Sequence, residues 1–333
     1  MRILVTGSAG HLGEALMRTL RSQGRDAIGL DISPSPYTDR VGSIADRAFV
    51  DRVFAEHAAA GVQAVLHTAT LHKPHVATHT RQDFIDTNIT GTLNLLEAAT
   101  SHGVGAFVFT STTSAFGDAL TPADGAPAVW ITEDVAPVAK NIYGTTKTAA
   151  EDLCRLFHRN QRLPCVVLRT SRFFPEPDDN PVIRNVYVDG NIKANEFLYR
   201  RADVQDLVDA HLLAIERAPQ IGFGRYLLSA TTPFTRDDLG ALRSHAPTVV
   251  AQRVPGFEAE YLRRGWRMFP SIGRVYVNTL AREELGWRPR YDFAHALSRL
   301  QAGEDPRSPL AQAIGTKGYH AGAYADGLYP VEC

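Results

Sequence analysis

Cysteine is scarce in this chain, with three residues in 333: Cys154, Cys165 and Cys333. They form no Cys-x-x-Cys pair and have no histidine at metal-ligand spacing, which argues against a disulfide framework and a local zinc knuckle. Cys154 and Cys165 lie in apolar surroundings and read as core thiols. An excess of either charge is lacking too. Lys plus Arg total 35 against 36 Asp plus Glu, a formal net charge of -1, so no surface is dedicated to nucleic acid or an anionic membrane. No run approaches the roughly 20 apolar residues of a membrane span. The apolar opening is cut by Gly7 too early for a secretory signal. His72, His75 and His79 have no helical His-x-x-x-His frame and no carboxylate companion, so no metal is expected. These absences point to a soluble, cytoplasmic protein whose partner is a small molecule, with no nucleic acid and no membrane.

What is present is an alternation of short apolar runs and amphipathic stretches. Residues 2–6 form a β-rich run that stops at Gly7. Residues 11–22 carry helical spacing, with Leu12, Ala15, Leu16 and Leu20 on one face. Strands are expected at 26–31, 62–67, 106–110 and 165–168, and helices at 46–60, 84–99 and 143–160. Near-continuous apolar strands alternating with helices predict an α/β fold: a Rossmann-type doubly wound parallel sheet covered on both faces. Beyond residue 170 the pattern changes. Residues 173–189, rich in Pro, Asp and Asn, read as loop. Helices are expected at 204–217, 235–244 (capped by Thr235), 281–286 and 293–300, with a strand at 225–229. The polar tail from residue 302 has no period. Residues 1–170 are thus expected to be a dinucleotide-binding domain. Residues 171–333 are expected to be mainly a smaller α/β substrate-binding region, interleaved with the first.

Gly7, Gly10 and Gly13 form the sharpest local signal, because they follow a strand and open a helix. Gly7 permits the tight turn, Gly10 lets backbone approach a pyrophosphate, and Gly13 lets helix pack on sheet. The helix start offers free N–H groups and a positive dipole end to phosphates. Asp31 ends the second strand, where a carboxylate accepts from ribose hydroxyls and repels a 2′-phosphate. No Arg follows it directly, so NAD is preferred over NADP.

Tyr143 and Lys147 stand four apart at the start of a helix, on one face. A phenol is a poor base at neutral pH. A neighbouring ammonium and a positive nicotinamide favour the phenolate, which can then take a proton from a substrate hydroxyl.

Together these residues resemble the extended short-chain dehydrogenase/reductase superfamily, in its NAD-dependent epimerase/dehydratase branch. The resemblance runs from Met1 to about Arg172 and returns more faintly at Arg201 to Asp206 and at Leu285 to Pro289. It implies Tyr143 as catalytic acid/base, Lys147 as the residue that binds nicotinamide ribose and tunes the tyrosine, and Thr112 as the partner of the reacting hydroxyl. It also implies a cofactor set of Gly7, Ala9, Gly10, His11, Leu12, Gly13, Asp31, Ile32, Ile44, His67, Thr68, Ala69 and Thr110, joined by Tyr143 and Lys147. Asn88 is expected to organise its helix and the nearby backbone. Substrate contacts are expected from Thr70, Lys73, Thr112, Thr113 and Arg172. The family commonly dimerises, so a homodimer is expected.

Three departures bear on the substrate. Sugar 4,6-dehydratases of this family carry Asp-Glu after the catalytic Thr, whereas Thr113 and Ser114 stand here, so dehydration is disfavoured. Arg172 replaces an Asn that contacts the diphosphate of nucleotide sugars. Its planar fork suits a carboxylate or phosphate, unless Glu176 or Asp178 claims it. The family's C-terminal Arg-x-Gly-Asp is also absent, since Met268, Phe269 and Pro270 follow Arg267. The leading expectation is an NAD(P)-dependent oxidoreductase that acts on a hydroxyl of a sugar or sugar-acid-like substrate by Tyr/Lys/Thr-assisted hydride transfer. The alternatives are a nucleotide-sugar epimerase that retains its NAD and a non-catalytic cofactor-sensing regulator.

Overall fold

Seven parallel strands form the central sheet, and the apolar runs of the sequence supply nearly all of them. The computed structural model describes residues 1–56 and 61–318. Strands β1 (Ile3–Thr6), β2 (Ala27–Asp31), β3 (Arg40–Val41), β4 (Ala64–His67), β5 (Ala106–Thr112), β7 (Cys165–Thr170) and β8 (Phe223–Leu228) lie in the order β3-β2-β1-β4-β5-β7-β8. The order reverses at β1, so a crevice opens between the carboxyl ends of β1 and β4, where open α/β sheets bind ligands. The register there pairs Thr6 with Leu30 on one side and with His67 on the other.

Both faces of the sheet are covered. On one, α1 (His11–Ser22) and α8 (Val204–Ile221) pack against Ile3, Val5, Leu66, Val108 and Val166. On the other, α2 (Arg47–Glu56), α4 (Gly91–Ser101) and α5 (Ile142–Gln161) pack against Leu4, Val65, Phe107 and Val167. Adjacent residues of each strand thus point into opposite cores, as a strand covered on both sides requires. Cys154 and Cys165 are both buried.

The expected helix at 84–99 starts earlier and is not uniform. Thr80 caps a short α3 (Arg81–Phe84), which runs into a π-helical turn, Ile85–Thr90, and then into α4. The helix expected at 46–60 is α2, and its last four positions lie outside the described residues.

The second half completes the sheet with α8 and β8 and builds a further apolar cluster of its own. Strands β6 (Val129–Ile131) and β9 (Arg274–Tyr276) pair in parallel as a separate two-stranded sheet. Around them pack α7 (Asp189–Glu196), α9 (Leu239–Leu242), α10 (Ala246–Arg253), α11 (Phe257–Arg264) and α13 (Phe293–Gln301), through Phe197, Leu198, Phe257 and Tyr261 among others. The segment expected as loop, 173–189, contains a helix, α6 (Pro181–Val186), capped by Asn180 with Pro181 in its first turn. The tail likewise holds α14 (Pro309–Ile314), capped by Ser308. A short α12 (Thr279–Glu284) precedes Trp287. Trp287 is fully buried and donates its indole N–H to the Asp206 carbonyl at 2.8 Å, while the Asp206 carboxylate accepts from the Arg290 and Tyr291 N–H groups. The two fainter stretches of family resemblance are thereby one structural joint. Among the described residues, no helix is long and apolar enough to cross a membrane.

Candidate active site

A groove of about 920 Å³ opens above the carboxyl ends of β1, β4 and β5 and extends towards the second half of the chain. At one end is the glycine turn. Gly7 has φ +72°, and a Cβ there would meet the Ala69 nitrogen at 2.7 Å. A Cβ on Gly13 would lie 1.9 Å from the Gly7 oxygen, so α1 packs on the turn only because that side chain is missing. Gly10 is different: its Cβ would meet only the Gly7 oxygen, at 3.2 Å. Gly10 is also the N-cap of α1 and supplies no side-chain cap. The N–H groups of the first turn are left for a ligand, and an anionic one is favoured there. These residues fit a dinucleotide pyrophosphate.

Ala9, His11 and Leu12 line the same end, with Asp31, Ile32 and Ile44 beyond them. The Asp31 carboxylate accepts from the Ala9 N–H at 3.0 Å and from the Ser33 N–H at 2.9 Å, which fixes it beside the turn. Ile44 is buried directly beneath Gly91. Thr68, Ala69 and Thr70 form the opposite lip. Thr68 donates to the Thr6 carbonyl at 2.6 Å, and the Ala69 N–H donates to Thr6 Oγ1 at 3.2 Å.

His67 is not part of the groove wall. Strand alternation turns it into the interior, where its ring nitrogens bond Thr6 Oγ1 at 2.8 Å and Thr92 Oγ1 at 2.9 Å. Burial, with the Lys147 charge nearby, pushes its pKa well below the usual imidazole range. A neutral structural histidine results.

Midway along the groove, Thr112 ends β5 and Tyr143 lies in the first turn of α5. The two side chains stand side by side on the groove wall, and the Thr112 hydroxyl favours ionisation of the phenol. Asn141 caps α5 by accepting from the Gly144 N–H at 3.1 Å, which sets where Tyr143 emerges. Burial pushes the Tyr143 phenol up to about 12, against the opposing pull of the Thr112 hydroxyl. Lys147 is 2% exposed and stands behind the groove surface, its ammonium 4.1 Å from the centre of the Phe109 ring. Burial lowers its pKa to about 7, with Glu151 opposing. Thr110 also reaches the groove and bonds His211 Nε2 at 2.8 Å.

Asn88, in the π turn, ties this region together. Its amide donates to the Leu71 carbonyl at 2.9 Å and to Thr146 Oγ1 at 3.0 Å. Its carbonyl accepts from the Leu71 N–H at 2.9 Å and from Thr70 at 3.0 Å. One side chain therefore joins the loop after β4 to α5 one turn beyond Tyr143.

The far end of the groove carries dense charge. Lys73 and Arg172 line it, and both meet Asp179, at 2.6 and 2.8 Å. Arg172 also pairs with Asp178, and with Glu196 at 3.2 Å. Glu176, an alternative partner for Arg172 on sequence grounds, instead meets His11 at 2.8 Å. Against the push of burial, Arg200, Arg201 and Arg172 hold the Glu196 carboxyl down at about 2. Thr113 lines the groove beside Thr112. Among the described residues, no three His, Cys, Asp or Glu side chains gather as metal ligands.

Several groove residues gave no sequence signal. Lys317 and Gly318 reach it from the C-terminal segment, where both N–H groups donate to Glu176 and the Lys317 ammonium pairs with Glu14. Ser171, Arg200, Arg274 and Tyr276 line the other end. Arg274 and Tyr276 arrive on the three-residue β9, whose parallel partner β6 is remote in the chain, so no local pattern marks them.

Comparison with known proteins agrees with this architecture. The family model described as "NAD dependent epimerase/dehydratase family" matches residues 3–225. A UDP-glucose 4-epimerase from Rhizobium leguminosarum bv. trifolii is 28% identical over 331 residues, covering 89% of this chain and 94% of that protein. A dTDP-glucose 4,6-dehydratase from Neisseria gonorrhoeae is 34% identical over 203 residues, covering 52% of this chain and 56% of its own. Among solved structures, a short-chain dehydrogenase/reductase superfamily protein from Agrobacterium tumefaciens with bound NAD superposes with a TM-score of 0.63 at 25% identity. That match covers 94% of this chain and 97% of that one.

Proposed function

This chain belongs to the NAD dependent epimerase/dehydratase family and is accordingly an NAD-dependent enzyme, and from that premise we propose that it is a dehydrogenase acting on a hydroxyl of a sugar or sugar-acid-like substrate. The observation that carries this reading is the placing of Tyr143 and Thr112 side by side on the wall of a groove that begins at an uncapped helix start. NAD, when bound, supplies the acceptor for the hydride leaving the substrate carbon. Thr112 holds the substrate hydroxyl, and Tyr143 accepts its proton as the carbon–oxygen double bond forms. By itself the phenol is neutral at pH 7, because burial holds it at about 12. A positive charge delivered beside it, together with Lys147 in its ammonium form, lowers that value.

Asp31 supports NAD over NADP, because a carboxylate already fixed by two backbone N–H groups cannot swing away from a 2′-phosphate. In this reading residues 1–170 chiefly hold the cofactor and residues 171–333 the substrate, and the protein works as a cytoplasmic homodimer. Dehydration is disfavoured, since Thr113 and Ser114 carry no carboxyl to drive water loss.

A second reading, an epimerase that keeps its NAD, is favoured by the Rhizobium relative, 94% of whose length is matched. The experiment that separates them is a screen of neutral sugars, uronates, sugar phosphates and UDP-sugars, followed by NADH absorbance and by product stereochemistry. Net NADH supports the dehydrogenase. An inverted centre without net NADH, from protein purified with NAD attached, replaces it with the epimerase. NAD binding with no turnover of any class, unchanged by Tyr143→Phe, leaves a cofactor-sensing regulator.

A further inference from the structure

Three buried polar atoms on the substrate end of the groove lack hydrogen-bond partners: Ser171 Oγ, Arg200 Nε and Arg274 Nε. Ser171 is 2% exposed. A buried donor left unpaired is costly, so several on one wall mark where a ligand's acceptors belong. The two arginines are neighbours through Tyr199. The guanidinium of Arg200 lies 5.4 Å from the Tyr199 ring centre, and the Tyr199 phenol feels the charges of both Arg200 and Arg274. On its other side, Arg274 lies 5.9 Å from the Tyr276 ring centre. Backbone pairing fixes this arrangement, since the Tyr276 N–H donates to the Tyr199 carbonyl at 3.0 Å.

The charges of the region are unequally committed. Arg172 has both terminal nitrogens engaged, by Asp178, Asp179 and Glu196. Lys73 is bound to Asp179. Arg200 meets Glu196 at 2.7 Å through one terminal nitrogen, leaving its Nε orphaned. Arg274 has no carboxylate partner among the described residues. Its planar fork is the uncommitted positive charge of the wall.

We propose that the substrate carries an oxyanion, a carboxylate or a phosphate, that docks on Arg274 with Ser171 and Arg200 Nε as further donors, and that Arg172 acts instead as the brace of the surrounding loop. The inference rests on the proposed action on a sugar or sugar-acid hydroxyl and deepens it. The far end of the groove grips the anion while the hydroxyl to be oxidised sits at Thr112 and Tyr143.

The test measures binding rather than turnover. D-glucose, D-glucuronate, D-glucose 6-phosphate and UDP-glucose are titrated calorimetrically into the full chain with NADH present, for the wild type, Arg274→Met and Arg274→Lys. One charge-assisted contact predicts that at least one anionic sugar binds wild type about tenfold or more tighter than glucose. Arg274→Met removes that preference, leaves NADH binding and melting temperature unchanged, and Arg274→Lys restores part of it. The anionic arm that loses most names the oxyanion. Equal binding of glucose and every anionic sugar, absence of binding by all four, or a preference that survives Arg274→Met overturns the proposal. NADH formation in the same preparations reports separately on the proposed reaction: an Arg274-dependent anion preference without redox turnover leaves this site standing and removes only the dehydrogenase reading.

Discussion

Lys147 and Glu151 lie one helical turn apart on α5, both almost fully buried, yet Glu151 is committed to other partners. Its two oxygens hold Arg169 at 2.9 and 2.7 Å, one accepts from Ser111 at 2.5 Å, and Arg225 closes on it at 2.9 Å. Arg169 in turn lies 4.7 Å from the Phe116 ring centre. The carboxylate thus links β5, β7 and β8 beneath the groove and contributes negative potential to Lys147 on the way. Replacing it strands a buried guanidinium. Glu151→Gln is expected to lower unfolding free energy by about 3–5 kcal/mol, read from urea midpoints at fixed pH. A change below 1 kcal/mol would show the cluster to be dispensable.

The depressed pKa of Lys147 ties stability to pH with a definite sign. Its unfolded value is the ordinary 10.5 and its folded value about 7. Between those limits the unfolded chain holds the extra proton, so stability rises with pH across that window. Below pH 7 both states are protonated and Lys147 contributes no slope. Lys147→Met should therefore flatten the rise in cofactor-free melting temperature between pH 7 and 10. An identical slope in wild type and variant would rule Lys147 out as its source.

Much of this site is legible in the residues, and the exceptions have physical causes. The glycine turn, Asp31 and Tyr143 are readable because each sits at a strand end or helix start whose period is strong, and Thr112 because the family resemblance implies it. The helices α6 and α14 are not, because each opens on a capped proline, and Pro in a helix's first turn has the same composition as a loop. His67 stands beside groove residues in sequence, yet the two-residue period of β4 turns its ring inward. Arg274 is invisible for a different reason: its position depends on two three-residue strands from opposite halves of the chain. Arg172 was readable as a groove cation and Asp178 as a partner for it, but not Glu196, which is supplied by a helix outside the adjoining loop.

Gly10 and Gly13 should respond differently to one added methyl group. Gly13→Ala drives a Cβ to 1.9 Å from the Gly7 oxygen, a backbone clash expected to cost about 1–3 kcal/mol of stability or more. Gly10→Ala meets only one oxygen, at 3.2 Å, so it should fold nearly as well as wild type. Its methyl instead takes the space of a pyrophosphate. Thermal melts and NAD titrations of both variants check this. A Gly10→Ala protein with undiminished NAD affinity would mean that the phosphates lie elsewhere.

Acid should weaken the fold through two neutral histidines. Burial holds His211 at about 4 and His67 well below its usual value. His211 is locked between Thr110 at 2.8 Å and the Leu207 carbonyl at 2.7 Å. Near pH 6.5 the unfolded chain begins to take up protons that these rings refuse. Stability therefore falls from about pH 6.5 to 4, by about 3 kcal/mol from His211 alone. His211→Gln keeps a polar side chain and removes the titration, so its urea midpoint should vary less between pH 7 and 5 than that of wild type. Parallel curves would assign the acid sensitivity elsewhere.

Cofactor choice turns on the charge of Asp31 rather than on its shape. The carboxylate accepts from Ala9 and Ser33, so deleting the side chain would disturb the glycine turn as well as the ribose site. Asp31→Asn largely separates the two effects: its single carbonyl keeps the bond from Ala9 at the expense of the one from Ser33, and the negative charge that opposes a 2′-phosphate is lost. The ratio of NADP to NAD dissociation constants should fall about tenfold, equivalent to about 1.4 kcal/mol, with most of the change in NADP. Because a 2′-phosphate is dianionic and the effect is electrostatic, the gap between wild type and Asp31→Asn should narrow as salt is raised from 50 to 500 mM. A ratio unchanged by the substitution, or a gap insensitive to salt, would place discrimination on contacts other than this carboxylate.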